Sequence, residues 1–285
     1  MNYSEYKTTI SISISDSPDM EYFGMSDGHL KDTMTWIAIQ LLSGKYNLAY
    51  GGDLRTHGFS ELLFELVLRY TPREDYNHIV RVTNHLAWPV HIGMPLDKID
   101  TIASDLEGAA ELVLLNLDGN PMSFATRRDI PSKSPSEEEW SSGLTAMRQF
   151  QTSFADARIL LGGQVSNYKG CMPGVAEEAL ISLRAGQPLF LIGRFGGCTR
   201  DVAEVLGLIK PWERSRNDWA GREEFLQWTG HDLNNGLTLE ENEFLAATPF
   251  REQSVLLVLQ GLHRLRNGYM PDLLTETGKH AQSIH

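Results

Sequence analysis

The sequence predicts an α/β fold: a doubly wound, mainly parallel, Rossmann-like sheet with a helical C-terminal appendage. Three observations predict it. Short β-rich runs alternate with helical stretches about six times, which suits parallel strands covered on both faces. Glycine-rich or small polar loops recur at the ends of successive strands. From Lys210 onward the pattern is wholly helical.

The elements follow in order. Thr8 to Ser15 alternates Ile and Ser, which reads as a strand with one buried face. Ser26 is an N-cap for a helix running to Leu42, with Met34, Ile37, Ala38, Leu41 and Leu42 at helical spacing. Asn47 to Tyr50 is a short strand that enters Gly51-Gly52-Asp53, and Phe59 to Tyr70 is an amphipathic helix. Leu86 to Ile92 reads as a strand, with Pro89 marking an edge or a bend. Ala110 to Leu117 is a buried strand, and Asp118 to Glu139 reads as a long polar surface loop. Helix Glu139 to Ala155, strand Arg158 to Gly162 and helix Val175 to Arg184 follow, then strand Pro188 to Gly193 and helix Arg200 to Leu206. In the remainder, Glu240 to Ala247 and Glu252 to Arg266 are the best helices; the apolar stretch Gln253 to Leu265 packs on the domain or joins a dimer interface. Two parts result: 1–208, a Rossmann-like domain, and 209–285, a helical extension packed on it.

Composition narrows the function. With 25 Lys and Arg against 37 Asp and Glu, the net charge is −12, which argues against nucleic acid as the main partner. Cys171 and Cys198 have neither C-x-x-C spacing nor a disulfide framework around them. The N-terminus lacks the pattern of a signal peptide, and no apolar run reaches the ~18 residues of a membrane span. A cytoplasmic protein without membrane association is expected. The histidines show no metal-ligand spacing, so no metal and no resident cofactor are expected.

Ligands of open α/β sheets sit outside the carboxyl ends of the strands. Four loops there are candidates. Ser15-Asp16-Ser17 offers hydroxyls and N–H groups for a phosphate, or is a capped turn. Gly51-Gly52-Asp53-Leu54-Arg55 lets backbone approach a ligand, with Arg55 for a phosphate and Asp53 for a ribose hydroxyl; its plain alternative is a tight turn. Gly162-Gly163, Tyr168, Gly170 and Pro173-Gly174 lead into a helix whose first turn carries Glu177 and Glu178. These glutamates either complement the helix dipole or serve as catalytic groups, and Tyr168 either stacks on a base or packs. Gly196, Gly197 and Thr199 form the fourth loop, in which Thr199 reads first as a helix N-cap. Trp212, Trp219 and Trp228 mark a helical cap that either closes over the site or simply packs.

The serine after the first strand, the GGD after the second and the late G-G…G…P-G-V-A-E-E loop together resemble the SLOG superfamily. That group includes the Lonely-guy phosphoribohydrolases, the DNA-processing Smf/DprA proteins and ligand-sensing domains of bacterial antiphage systems fused to TIR or sirtuin-like effectors. The resemblance covers Thr8 to Leu208 in element order. It implies a Rossmann-like fold and a nucleotide ligand, with Gly162 and Gly163 matching the paired glycines of the hydrolase motif P-G-G-x-G-T-x-x-E and Glu177 its glutamate. Here the stretch Gln164 to Pro173 interrupts that motif. Two functions follow. One is a sensor of an NAD-derived or adenine nucleotide, such as ADP-ribose or cyclic ADP-ribose, acting as a homo-oligomer or with a TIR-type effector. The other is an N-glycosidase using Glu177 or Glu178, with Asp16 or Asp53 assisting.

Overall fold

The computed structural model describes residues 8–52, 54, 58–70, 81–106, 110–212 and 218–268. The strands are β1 (Thr9–Ser15), β2 (Asn47–Tyr50), β3 (Val82–Leu86), β4 (Ala110–Leu115), β5 (Pro121–Met122), β6 (Ala157–Gly162) and β7 (Leu189–Ile192). They form one sheet in the order β5-β4-β3-β2-β1-β6-β7. Every pairing is parallel except β4 with the short edge strand β5. The chain winds outward from β1 through β4 and then returns to lay β6 on the other side of β1. That reversal beside β1 is where an open α/β sheet leaves a crevice.

Helices cover both faces. On one lie α1 (Asp27–Ser43), α2 (Phe59–Tyr70), α4 (Leu96–Asp105) and the C-terminal α10 (Arg251–Arg266), around a core that includes Ile10, Ile12, Ile14, Met34, Leu48, Val82 and Val258. On the other lie α6 (Glu137–Phe154), α7 (Gly174–Arg184) and α8 (Gly197–Val205), the last two joined to β6 and β7 by a second core with Leu160, Val175, Ala179, Leu191 and Val202. Short helix α3 (Trp88–Ile92) lies against β4, α5 (Phe124–Arg128) is tied to α3 through Arg127 and His91, and α9 (Leu239–Ala247) rests on β7. Helix α10 buries Val255, Leu257, Val258 and Leu262 in the same core as β1, so it packs on the domain.

The predicted α/β architecture is observed, and five local readings are corrected. β1 is buried on both faces: its isoleucines meet α1, while Ser11 and Ser13 face a polar layer built on Arg158. Only small side chains leave room there for a guanidinium from the next strand. The stretch Leu86 to Ile92 is not a strand. The ladder ends at Leu86, and Pro89 sits in the first turn of α3, where its missing N–H costs nothing. The expected loop 118–139 contains β5 and α5, fastened by the fully buried Arg127. Its guanidinium donates to the carbonyls of Ile130 at 2.7 Å and His91 at 2.9 Å, and to Nδ1 of His91 at 3.2 Å.

Helix α8 begins at Gly197 with Gly196 as N-cap, so Thr199 lies buried inside the first turn and is not the cap. The C-terminal part is not wholly helical: residues 234–238 and 248–250 are irregular, and Arg222–Gln227 and Gly230–Leu233 are 3-10 turns rather than α-helix. No helix among the described residues is long and apolar enough to cross a membrane.

Candidate functional site

A cleft of about 800 Å³ opens at the carboxyl ends of β1, β2 and β3, beside the point where the sheet reverses. Its floor is the most buried part: Ile12, Ser13, His85, Ala87 and Met147 are each at most 3% exposed. Trp140, Leu144, Met147 and Arg148 of α6 form one wall. Gln164, Asn167, Tyr168 and Lys169 after β6, with Gly174 and Glu178 of α7, form another. Lys98 and Lys169 stand exposed at the rim, and Lys169 Nζ lies 3.5 Å from the centre of the Trp140 ring.

Beneath the cleft lies a buried ionic layer. Arg158, on β6, is fully buried. It donates to Ser13 Oγ at 2.8 Å, Gln151 Oε1 at 3.1 Å, Thr152 Oγ1 at 3.1 Å and Ser182 Oγ at 2.9 Å, and stands 3.4 Å from Glu178 Oε2. Burial pulls its guanidinium below the ordinary value, and the Glu178 carboxylate opposes that shift. Arg148 pairs with Glu177, which also accepts from Thr145, and its Nε lies 3.9 Å from Glu178 Oε1. Two buried carboxylates therefore face two buried guanidiniums, an arrangement that tolerates burial because each charge has a partner. Gly174 makes it compact. A Cβ there would lie 2.7 Å from Arg148 Nη2.

The glycine pairs divide by role. Gly51 and Gly52 line the cleft, and Gly52 exchanges hydrogen bonds with the Asn84 side chain in both directions at 3.4 Å. Gly163 and Gly197 bring two loops into backbone contact: Cys198 N–H donates to Gly163 O at 3.2 Å, and a Cβ on Gly197 would lie 2.0 Å from that oxygen. Gly197 N–H donates to Asp19 Oδ2 at 2.8 Å, which ties this crossing to the loop after β1.

Of the candidates read from sequence, the cleft brings together Ser15, Gly51, Gly52, Tyr168, Gly174 and Glu178. Glu177 lies behind it, held by Arg148. Asp16, Ser17, Gly162, Gly163, Gly170, Pro173, Gly196, Gly197 and Thr199 do not line it. Asp53 and Arg55 lie outside the described residues. Trp219 is buried against α8, where its Nε1 donates to Asp201 Oδ2 at 2.8 Å, so it packs and does not cover the cleft. Among the described residues no group of three or more His, Cys, Asp or Glu side chains is arranged to hold a metal ion.

Sequence reasoning missed Arg148, Arg158 and His85. Arg158 had a visible signal: a charged residue inside the apolar strand ARILLG must find a buried counter-charge. His85 is 1% exposed, with its ring edge-on to Phe150 and Phe154 at 5.2 and 4.8 Å. Burial, helped by the Arg158 charge, lowers its pKa to about 4 and keeps the imidazole neutral near pH 7.

A search of curated proteins finds no match to this chain. The family model described as SLOG cluster2 matches residues 5–230, which takes in the whole sheet and every wall of the cleft. The match points to a nucleotide-related function. The chain belongs to the SLOG superfamily, in the family described as SLOG cluster2.

Proposed function

We propose that the cleft binds an NAD-derived or adenine nucleotide of the ADP-ribose or cyclic ADP-ribose type, and that the protein acts as a sensor of it. The observation that carries this reading is the place of the cleft: it lies at the sheet's reversal, with rim lysines for an anion and an apolar, hydrogen-bonding floor for a neutral end. The start of α7 at Gly174 adds N–H groups and a favourable dipole for negative charge. Sensing is favoured over cleavage because Glu177 and Glu178 are already engaged by Arg148, Arg158 and Thr145. In this role the ligand would be reported to a second copy of the chain or to a TIR-type effector, with a part in antiphage defence, and no resident cofactor would be needed.

One observation favours a second reading, hydrolysis of an N-glycosidic bond. Glu178 lines the cleft between two guanidiniums, where a carboxylate can stabilise an oxocarbenium-like centre. The two readings part on one experiment. The purified protein is incubated with NAD, ADP-ribose, cyclic ADP-ribose and AMP, with binding followed by thermal shift and products by chromatography. Stabilisation without base release supports the sensor. Base release abolished by Glu178→Gln supports the hydrolase, and no stabilisation by any of the four overturns both.

A further inference from the structure

We infer that Trp140 is a positioning residue: its indole ring holds the Lys169 ammonium at the rim of the cleft, where that ammonium takes a phosphate of the bound ligand. The inference rests on the nucleotide reading and deepens it by naming a phosphate subsite. Trp140 stands half-buried in the first turn of α6, and Lys169 stands exposed on the adjoining wall, between β6 and α7. Both line the cleft, and Lys169 Nζ lies 3.5 Å from the centre of the indole ring. Ser141 Oγ lies 3.0 Å from Cys171 Sγ, a second tie between the same two stretches of chain.

The charge of Lys169 is held but not neutralised. Lys133 pairs with Glu139 at 2.6 Å, whereas among the described residues no carboxylate pairs with Lys169. An ammonium is attracted to an indole face, and that attraction offsets part of the side-chain entropy lost when a lysine is held in one place. The lysine is therefore positioned before the ligand arrives, which strengthens binding without any contact between ligand and ring. Its ammonium carries three N–H donors and no acceptor, which suits the oxygens of a phosphate. An indole face also stacks on bases, but here the ammonium lies over it and meets the ligand first.

A residue that acts only through another loses its effect once that other is gone. The dissociation constant of ADP-ribose is measured by titration calorimetry on the wild type, Lys169→Gln, Trp140→Leu, Trp140→Phe and the double variant Lys169→Gln/Trp140→Leu. Lys169→Gln is expected to weaken binding about tenfold. Trp140→Leu should weaken it about threefold, and Trp140→Phe, which keeps an aromatic face, should stay within about twofold of the wild type. The double variant should bind no more weakly than Lys169→Gln alone. If Trp140→Leu fails to unfold cooperatively in urea, Trp140→Phe decides: it stays within about twofold while Lys169→Gln loses its tenfold, or the inference falls.

Additive losses in the double variant would set the ring itself against the ligand or in the frame of the cleft, and overturn the inference. Unchanged ADP-ribose affinity in Lys169→Gln overturns it too, while leaving the nucleotide reading in place. Failure of ADP-ribose to bind the wild type brings down the ADP-ribose reading, and the inference with it.

Discussion

Arg148 lies so close to Gly174 that a Cβ at residue 174 would come within 2.7 Å of its Nη2. This contact lets α7 begin against α6 with the Glu177 ion pair closed. Alanine suits the backbone here, because Gly174 is not among the residues with positive φ. The expected effect of Gly174→Ala is therefore on the guanidinium. Cooperative unfolding should be kept, while ADP-ribose affinity falls by roughly fivefold or more, about 1 kcal/mol. Calorimetry showing unchanged affinity would contradict the place given to Arg148.

The crossing of Gly163 and Gly197 predicts a stability difference between two glycines. Gly197 has φ +66° and a Cβ there would strike Gly163 O at 2.0 Å, whereas Gly207 has φ +78° with nothing within 4 Å of a Cβ. Both substitutions carry the left-handed backbone cost, about 1 kcal/mol. Only Gly197→Ala adds a backbone collision, so it should lose roughly 3 kcal/mol or more. Urea unfolding of the two alanine variants checks this, and equal midpoints would refute it.

The ion layer predicts coupling. Arg158→Met leaves Glu178 without its 3.4 Å partner and should cost roughly 3–5 kcal/mol. Adding Glu178→Gln removes the stranded charge, so the double variant should recover a substantial part of that loss. A double-mutant cycle by chemical denaturation measures it. Strict additivity of the two single changes would mean the pair is not coupled.

Two buried histidines set a pH dependence. Burial, with Arg158 adding to it, lowers the His85 pKa to about 4. Burial, with Arg127 adding to it against the bond to Leu115 O, lowers that of His91 to about 4. His91 Nε2–H donates to Leu115 O at 2.8 Å while Nδ1 accepts from Arg127, so its neutral form is the one the structure holds. The unfolded chain protonates these side chains near pH 6.5 and the folded chain only near 4, so unfolding takes up protons between those values. Stability should be level above about pH 7 and fall as pH drops from 6.5 to 4, by up to about 3 kcal/mol per histidine. His85→Leu should flatten part of that slope. A profile flat down to pH 4 would contradict these pKa values.

The strand and helix order was legible because hydrophobic period and glycine punctuation agree along most of the chain. What was not legible depends on distant partners. The alternation of Ile and Ser in β1 reads as one wet face, but Arg158, far along the chain, turns the serine face into a buried polar layer. Pro89 signals a break in a strand or the start of a helix, and only the ladder ending at Leu86 decides between them. Arg127 in the polar stretch 118–139 looks like a surface charge until the carbonyls of His91 and Ile130 gather around it. At the site, loop glycines were visible as punctuation, but nothing local distinguishes Gly51, which lines the cleft, from Gly197, which closes on Gly163. The helix residues Trp140, Met147 and Arg148 join the cleft only because α6 crosses it.

Amide hydrogen exchange with and without ADP-ribose tests whether the cleft beside β1 holds the nucleotide. Slowed exchange is expected in residues 164–178 and 144–151 and at Gly51 and Gly52, with α9 and α10 unchanged. Protection confined to α9 and α10, or none at saturating ADP-ribose, would contradict it.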